Sequence, residues 1–389
     1  MAANTRSFSR SSKIRQKSNG AIIRTNGDKC KPYFTNFRKK HNLRQFPDKL
    51  RKLPPALRLP QAQNSAIMCH RIVRWKAMEH VFPDYYPHFQ CTAGSCRHSC
   101  CIGWEIDIDP ESARYFRTLP GEFGDRLRRE ISWEDPPHFI LGQGERCPFL
   151  NPDGLCDMIL TLGEEALCEI CTDHPRFRNE LPGRLEVGLG LCCEEAARLI
   201  LSWPEPVTLT FAGAHEDIED EILLLRDQVL ALLQNRSRTI PQRVQDMLST
   251  CGAALPELTI PQWAEMLLEL ERLSDDWTRV LRFLQQQGAQ ADRAGFDAYM
   301  TSRQTEYEQF LVYLVYRHLA NAFDETSLAA RASFAALGYT LLHAMGAAIW
   351  TKTGAFPFEQ QVELARLFSS EIEYSQDNMD ALFDELSFF

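Results

Sequence analysis

The chain has 389 residues, 44% hydrophobic and 24% charged, with 20 Gly and 21 Pro. That composition excludes a collagen-like, a wholly disordered or a membrane-spanning chain. The net charge of −9 joins two unlike pieces: residues 1–76 hold 19 Lys/Arg against 2 acids, and residues 77–389 hold 24 against 50. So acidic a body is a poor nucleic-acid binder and suits a partner that offers lysines.

Residues 1–76 read as a disordered basic extension. Over 1–66, Ser, Asn, Gln, Lys and Arg dominate and the apolar residues keep no period, so burial cannot offset backbone entropy. The segment lacks the apolar run of a secretory signal peptide. Met68 and Met78 stand close to where the ordered chain is expected to begin.

Ten of the thirteen cysteines fall between 91 and 193. Cys91, Cys96, Cys100 and Cys101 form a C-x4-C-x3-C-C cluster, followed by Cys147, Cys156, the pair Cys168 and Cys171, then Cys192 and Cys193; Cys30, Cys69 and Cys251 are outliers. Disulfides need an oxidising compartment, and nothing directs export. Burial as free thiols suits Cys251 and Cys192. Metal ligation fits the clustering best, because crowded thiolates repel one another unless a cation or an iron–sulfur core neutralises them. Spacing leaves zinc and iron–sulfur open. Cys168 and Cys171 form the one C-x2-C knuckle, and Gly103 stands where a C-x3-C-x2-C run from Cys96 would need its third cysteine. The small residues from Thr92 to Ser95 offer free backbone N–H groups beside the first thiols.

Between the cysteines, the alternation over 105–109 predicts a short strand, and Pro110 opens a helix over 111–118. Residues 120–146 read as loop with a short helix near 123–131. Pro152-Asp153-Gly154 is a turn, 164–171 a helical turn with Cys168 and Cys171 on one face, and 194–201 a helix. From about 214 the chain is helical. Ile218, Ile222, Leu225 and Val229 form one stripe, and Thr239-Ile-Pro-Gln and Thr259-Ile-Pro-Gln predict two capping boxes. The apolar pattern continues through 263–285, 303–322 and 330–350. The stretch 334–350 suits a buried helix rather than a membrane span, with His318 and His343 as core or groove residues. Residues 371–389 suggest a tail with a last helix. The expected fold is mainly α. A loop-heavy, cysteine-rich metal-binding domain over 77–205 packs on a helical domain over 206–389.

The ordered set Phe89-Gln-Cys91, Gly94-Ser-Cys96, Ser99-Cys-Cys101, Gly103-Trp104, Cys147-Pro148, Gly154-Leu-Cys156, Leu162-Gly163, Leu167-Cys168, Cys171, Pro175-Arg176 and Cys193-Glu-Glu-Ala-Ala-Arg198 resembles the flagellin lysine-N-methylase (FliB) family, within a wider cysteine-cluster group described as zinc- or iron-chelating. The resemblance covers residues 85–202, with the helical half agreeing in length and character. It implies methyl transfer from S-adenosylmethionine to lysines of flagellin, in the cytoplasm, with no nucleic-acid partner and no membrane span. It also implies an iron–sulfur cluster, [4Fe–4S] by preference and zinc as the alternative. The matching cysteines are Cys91, Cys96, Cys100, Cys101, Cys147, Cys156, Cys168, Cys171 and Cys193. These nine exceed the four ligands of one cluster, so either a second metal site exists or several are structural thiols. Cys192 stands where the family pattern has serine, and His174 where an aromatic residue is usual.

Amine methylation needs a neutral lysine, by desolvation or through a base. Tyr85, Tyr86, Asp107, Asp109 and Glu186 are chemically able, though an exposed surface role is expected for each. No G-x-G loop follows a strand, so the usual methyl-donor signal is missing. The alternative is a non-enzymatic iron–sulfur or zinc-binding module on a helical scaffold.

Overall fold

The computed structural model describes residues 79–213 and 220–388. The basic extension, Cys30, Cys69, Met68, Met78 and Ile218 lie outside the described residues. Most described residues are helical, as the composition and periodicity imply, but a mixed sheet that the sequence reading did not include organises the middle of the chain.

Four strands form this sheet: β1 (Glu79–Pro83), β4 (Arg176–Leu181), β5 (Arg184–Leu189) and β6 (Leu209–Ala212), in the order β4-β5-β1-β6. A short hairpin of β2 (Ile131–Ser132) and β3 (His138–Phe139) stands apart from it. Pro182 and Gly183 turn β4 back antiparallel onto β5, with Gly183 at φ 72. A Pro-Gly pair between two alternating runs is a hairpin signal. β1 joins β5 in parallel, with His80 beside Leu185, and β6 closes the other edge antiparallel. The strand expected over 105–109 is absent; Asp107 makes only an isolated bridge to His138.

The helices expected over 111–118 and 194–201 and after Thr239 and Thr259 form, whereas the helical turn expected over 164–171 is broken at Leu167 and Cys168, which are extended. α1 (Pro110–Thr118) starts at Asp109, whose carboxylate accepts from the Ser112 N–H at 2.9 Å, and α2 (Gly121–Arg129) follows. α3 (Asp157–Leu162), α4 (Glu169–Asp173) and α5 (Glu194–Leu201) each begin right after a cysteine. α6 (Glu221–Leu233) opens the helical half. It buries Leu223, Arg226, Val229, Leu230 and Leu233; Ile222 and Leu225 from the expected stripe are only half-buried. A charged Arg226 sits inside that face because Glu186 on β5 meets it at 2.6 Å, with both side chains fully buried. Both capping boxes close, at α7 (Ile240–Thr250) and α8 (Ile260–Glu269). α9 (Asp275–Gln287), α10 (Arg293–Tyr299), α11 (Gln304–His318), α12 (Glu325–Thr353), α13 (Phe358–Phe368) and α14 (Gln376–Leu386) complete the chain. α12 is long and apolar enough to cross a membrane by length and composition, but 78% of its apolar window is buried inside the fold.

Two apolar clusters result. The large one runs from Tyr85 and Leu189 through α5 to Leu386, so the chain just after β5 packs with the helices. Tyr316 on α11 ties the sheet to this core, its hydroxyl 3.0 Å from the Val81 carbonyl oxygen and 3.1 Å from that of Val187. The small cluster joins Ile106, Ile108, Phe116, Leu127, Phe139 and Phe149 around five of the cysteines.

Candidate functional site

The nine cysteines come together as two sets. Cys101, Cys147, Cys156, Cys168 and Cys171 belong to the small apolar cluster. Cys193 packs instead against the large cluster, and the neighbours acting most strongly on it include Cys96 and Cys91. Cys100 likewise faces Cys91 and Cys193. The seam between the sets is the sequential pair Cys100 and Cys101, whose thiols hydrogen-bond to each other.

The five-thiol set is held by backbone contacts that its sequence spacing does not reveal. The Cys147 N–H donates to the Cys101 carbonyl at 2.8 Å, beside a bridge between Ile102 and Arg146. A second bridge joins Leu150 to Cys156. Arg126 clamps this loop, donating to Asp157 at 2.8 Å and to the Pro148 carbonyl at 2.7 Å. Asp109 caps α1 with one carboxylate oxygen and accepts from the Glu169 N–H with the other at 2.9 Å, so it also anchors the helix carrying Cys171. The Cys171 thiol reaches Cys168 one turn back, as the i, i+3 spacing requires.

The four-thiol set lies closer to the surface. The Ala93 N–H donates to the Cys91 sulfur at 3.3 Å, the kind of N–H···S contact expected of this small-residue loop. Thr92 Oγ1 lies 2.9 Å from the Cys96 sulfur. Gly94 lets the loop touch the turn at Gly154: a Cβ there would come within 2.6 Å of the Asp153 carbonyl oxygen. Arg97 reaches Glu194 at 3.6 Å and His98 reaches Glu363 at 3.0 Å, fastening the loop to α5 and α13.

Electrostatics favour protonated thiols at most of these positions. Burial pushes Cys147 up to about 12, with Cys101, Cys156 and Cys168 adding to it. Burial pushes Cys193 up to about 11, although the N–H groups of Ala196 and Glu195 pull the other way. Cys101 differs: the hydrogen bond from Cys100 brings it down to about 7. A bound cation reverses this balance, since metal ligands are thiolates.

Other candidates fall elsewhere. Cys192 hydrogen-bonds with Tyr374, and burial pushes its thiol up to about 12. His174 packs against Trp104, and burial with Arg176 beside it lowers its pKa to about 4. Two of the candidate bases are not on the surface as expected. Tyr85 is 1% exposed, and Glu186 is fully buried between Arg226 and Arg184, because the β5 strand runs under α6. Tyr86 accepts from Arg176 Nε at 3.0 Å. The sequence reading missed one further group: Glu105, Asp107 and His138 bring ligand atoms within 4.8 Å of one another. The β3 bridge makes it, across some thirty residues of intervening chain.

A second polar centre lies behind Cys192. Glu373, fully buried in the π-helical segment Ser369–Glu373, meets His318 Nε2 at 2.6 Å, the Tyr313 hydroxyl at 2.9 Å and Arg317 at 3.4 Å. Burial alone would raise its pKa, but Arg317, His318 and Ser369 outweigh that and bring it to about 2. A carboxylate held below its ordinary value stabilises the fold above that value, and the contribution is lost as protons bind. Urea midpoints are therefore expected to fall from about pH 4.5 down to about 2, and Glu373→Gln is expected to flatten that slope. An unchanged slope in the variant counts against this network.

Residues 247–388 match the family model described as the FliB lysine N-methylase C-terminal domain. That is the helical part, not the cysteine region whose motifs carry the resemblance. Among curated proteins, the chain is 29% identical over 136 residues to a lysine-N-methylase of Salmonella choleraesuis (strain SC-B67), covering 33% of this chain and 34% of that one. A lysine-N-methylase of Salmonella typhimurium is 28% identical over 136 residues, with the same coverage. The flagellar biosynthetic protein FliU of Salmonella muenchen is 28% identical over 135 residues, covering 33% of this chain and 79% of that protein. The aligned chain thus spans about a third of the length of the two lysine-N-methylases. No solved structure matches.

Proposed function

The chain belongs to the FliB lysine N-methylase family, and from that premise we propose that it transfers methyl groups from S-adenosylmethionine to lysine side chains of flagellin. The match over 247–388 carries this reading. The flagellar name of one relative favours a flagellar substrate. The acidic body, with 50 acids against 24 Lys/Arg over 77–389, suits the approach of a lysine-bearing surface in the cytoplasm, where flagellin is made.

The step is a displacement. The lone pair of a neutral lysine nitrogen forms a bond to the methyl carbon while the carbon–sulfur bond breaks. Its electron pair stays on sulfur, the sulfonium becomes a thioether, and the methylated ammonium releases a proton to water. An ordinary lysine is protonated at neutral pH, so the site must desolvate it or hold an acceptor beside it.

Each set is large enough to supply the four thiolates of an iron–sulfur group, the cofactor of this reading, or of a zinc ion. Such a group, when bound, neutralises the thiolates and supplies a redox couple. The chain's own residues hold the loops: Arg126, Asp109 and the Cys101–Cys147 backbone contact fix one set, and Arg97 and His98 tether the other.

The test is incubation of the full chain, purified without oxygen, with flagellin and methyl-labelled donor. Label is expected on flagellin lysines, and none without the protein. Unlabelled flagellin with fully metal-loaded protein would overturn the proposal and leave a non-enzymatic metal module.

A further inference from the structure

The helical half carries a groove that the thiol sets do not touch. Its two lobes meet at Pro241, Tyr339 and Thr340. The larger, about 430 Å³, is lined by Val244, Leu248 and Leu255 with Gln245 at its side. The smaller, about 220 Å³, is lined by Arg293, Asp297 and His343. The larger lobe alone falls within the roughly 300–1,000 Å³ range of small-molecule sites.

The lobes differ in chemistry. Arg293 and Asp297 stand four residues apart on α10, so opposite charges share one face. One Asp297 oxygen lies 2.7 Å from His343 Nε2, while the Asp297 side chain is 61% exposed and keeps an oxygen for a ligand. Behind them Tyr307 is 1% exposed, its ring 5.4 Å from Tyr339 and 5.7 Å from His343. Its hydroxyl has no hydrogen-bond partner among the described residues, and an orphaned buried donor calls for a functional explanation.

We propose that this groove binds the methyl donor, with the nucleoside in the apolar lobe and the zwitterionic amino-acid end between Arg293 and Asp297. The inference rests on the methyl-transfer reading above. A cationic and an anionic side chain at one end match an α-carboxylate and an α-ammonium. An apolar lobe walled by Tyr339 matches a purine, and the same ring offers its face to the sulfonium between the two ends. S-adenosylmethionine joins these three features in one molecule. The site also supplies what the absent glycine-rich loop does not, a place for the donor outside any doubly wound sheet.

Calorimetry on the full chain with S-adenosylmethionine and with its demethylated product tests this without turnover. Arg293→Ala and Asp297→Asn are each expected to weaken binding about 10- to 100-fold, the range of a lost charge-assisted hydrogen bond. Both side chains are exposed, so folding and metal content should be unchanged. Hydrogen exchange gives a second reading: ligand is expected to protect residues 293–297 and 339–343. Wild-type affinity in both variants, or protection elsewhere, overturns the groove and leaves the methylase reading standing. A wild-type chain that binds neither ligand overturns both.

Discussion

Replacing Cys147 and Cys168 together with serine is expected to strip the buried thiol set of its metal and loosen residues 101–171. The surface set is expected to keep its own. Cys147 is 7% exposed and Cys168 fully buried, in a small cluster with few apolar residues. On the metal-centre reading such a cluster would gain much of its stability from the metal, because ligation free energy there would be folding free energy. Exchanging Cys91 and Cys193 should have the complementary effect. Arg97, His98 and the α5 packing should still hold that loop, so metal loss is expected without local unfolding. Iron, sulfide and zinc per chain, the visible spectrum and limited proteolysis measure both. If either pair alone empties the protein, the thiols form one centre and not two. If neither pair changes the metal content, the cysteines are structural thiols.

Glu186→Ala is expected to destabilise the chain by about 3–5 kcal/mol, the usual result of leaving a buried charge without its partner. Glu186 and Arg226 are both fully buried, and Arg184 reaches the same carboxylate at 2.6 Å. Removing the carboxylate takes the ion-pair partner from Arg184 and leaves the buried Arg226 guanidinium only its half-exposed neighbour Asp227, 2.9 Å away. Replacing Glu186 and Arg226 together by methionine is expected to recover much of the loss, since apolar residues of similar volume fill the gap without a desolvation penalty. Urea unfolding of wild type, single and double variants measures this. A single variant within 1 kcal/mol of wild type would mean that water reaches the pair.

What was legible in the sequence depended on how local the interaction is. The capping boxes at Thr239 and Thr259 read directly, because their hydrogen bonds span three residues. So did the helix after Cys193 and the turn at Gly154; the helical turn expected over 164–171 instead breaks at Leu167 and Cys168, and Cys168 stands extended just before the helix that carries Cys171. The sheet was not legible as a whole. β1 and β6 are short, and β1 pairs with partners more than a hundred residues away, although the Pro182-Gly183 turn did announce the β4–β5 hairpin. The true face of α6 was hidden by Arg226, a charge whose burial depends on Glu186 on a distant strand.

By itself, the sequence determined the cysteine inventory, the acidic body, the helical character of the second half and its caps, all properties of composition or of contacts within a few residues. Only the tertiary structure decided how the thiols divide. Cys100 and Cys101 are neighbours in the chain, yet they face opposite sets, and Cys193 joins Cys91 and Cys96 while Cys192 turns to Tyr374. Both cysteine pairs sit in turns, where chain order does not say which neighbours a thiol meets; that is set by where the sheet and helices dock, and the docking is the work of apolar burial and a few buried ion pairs.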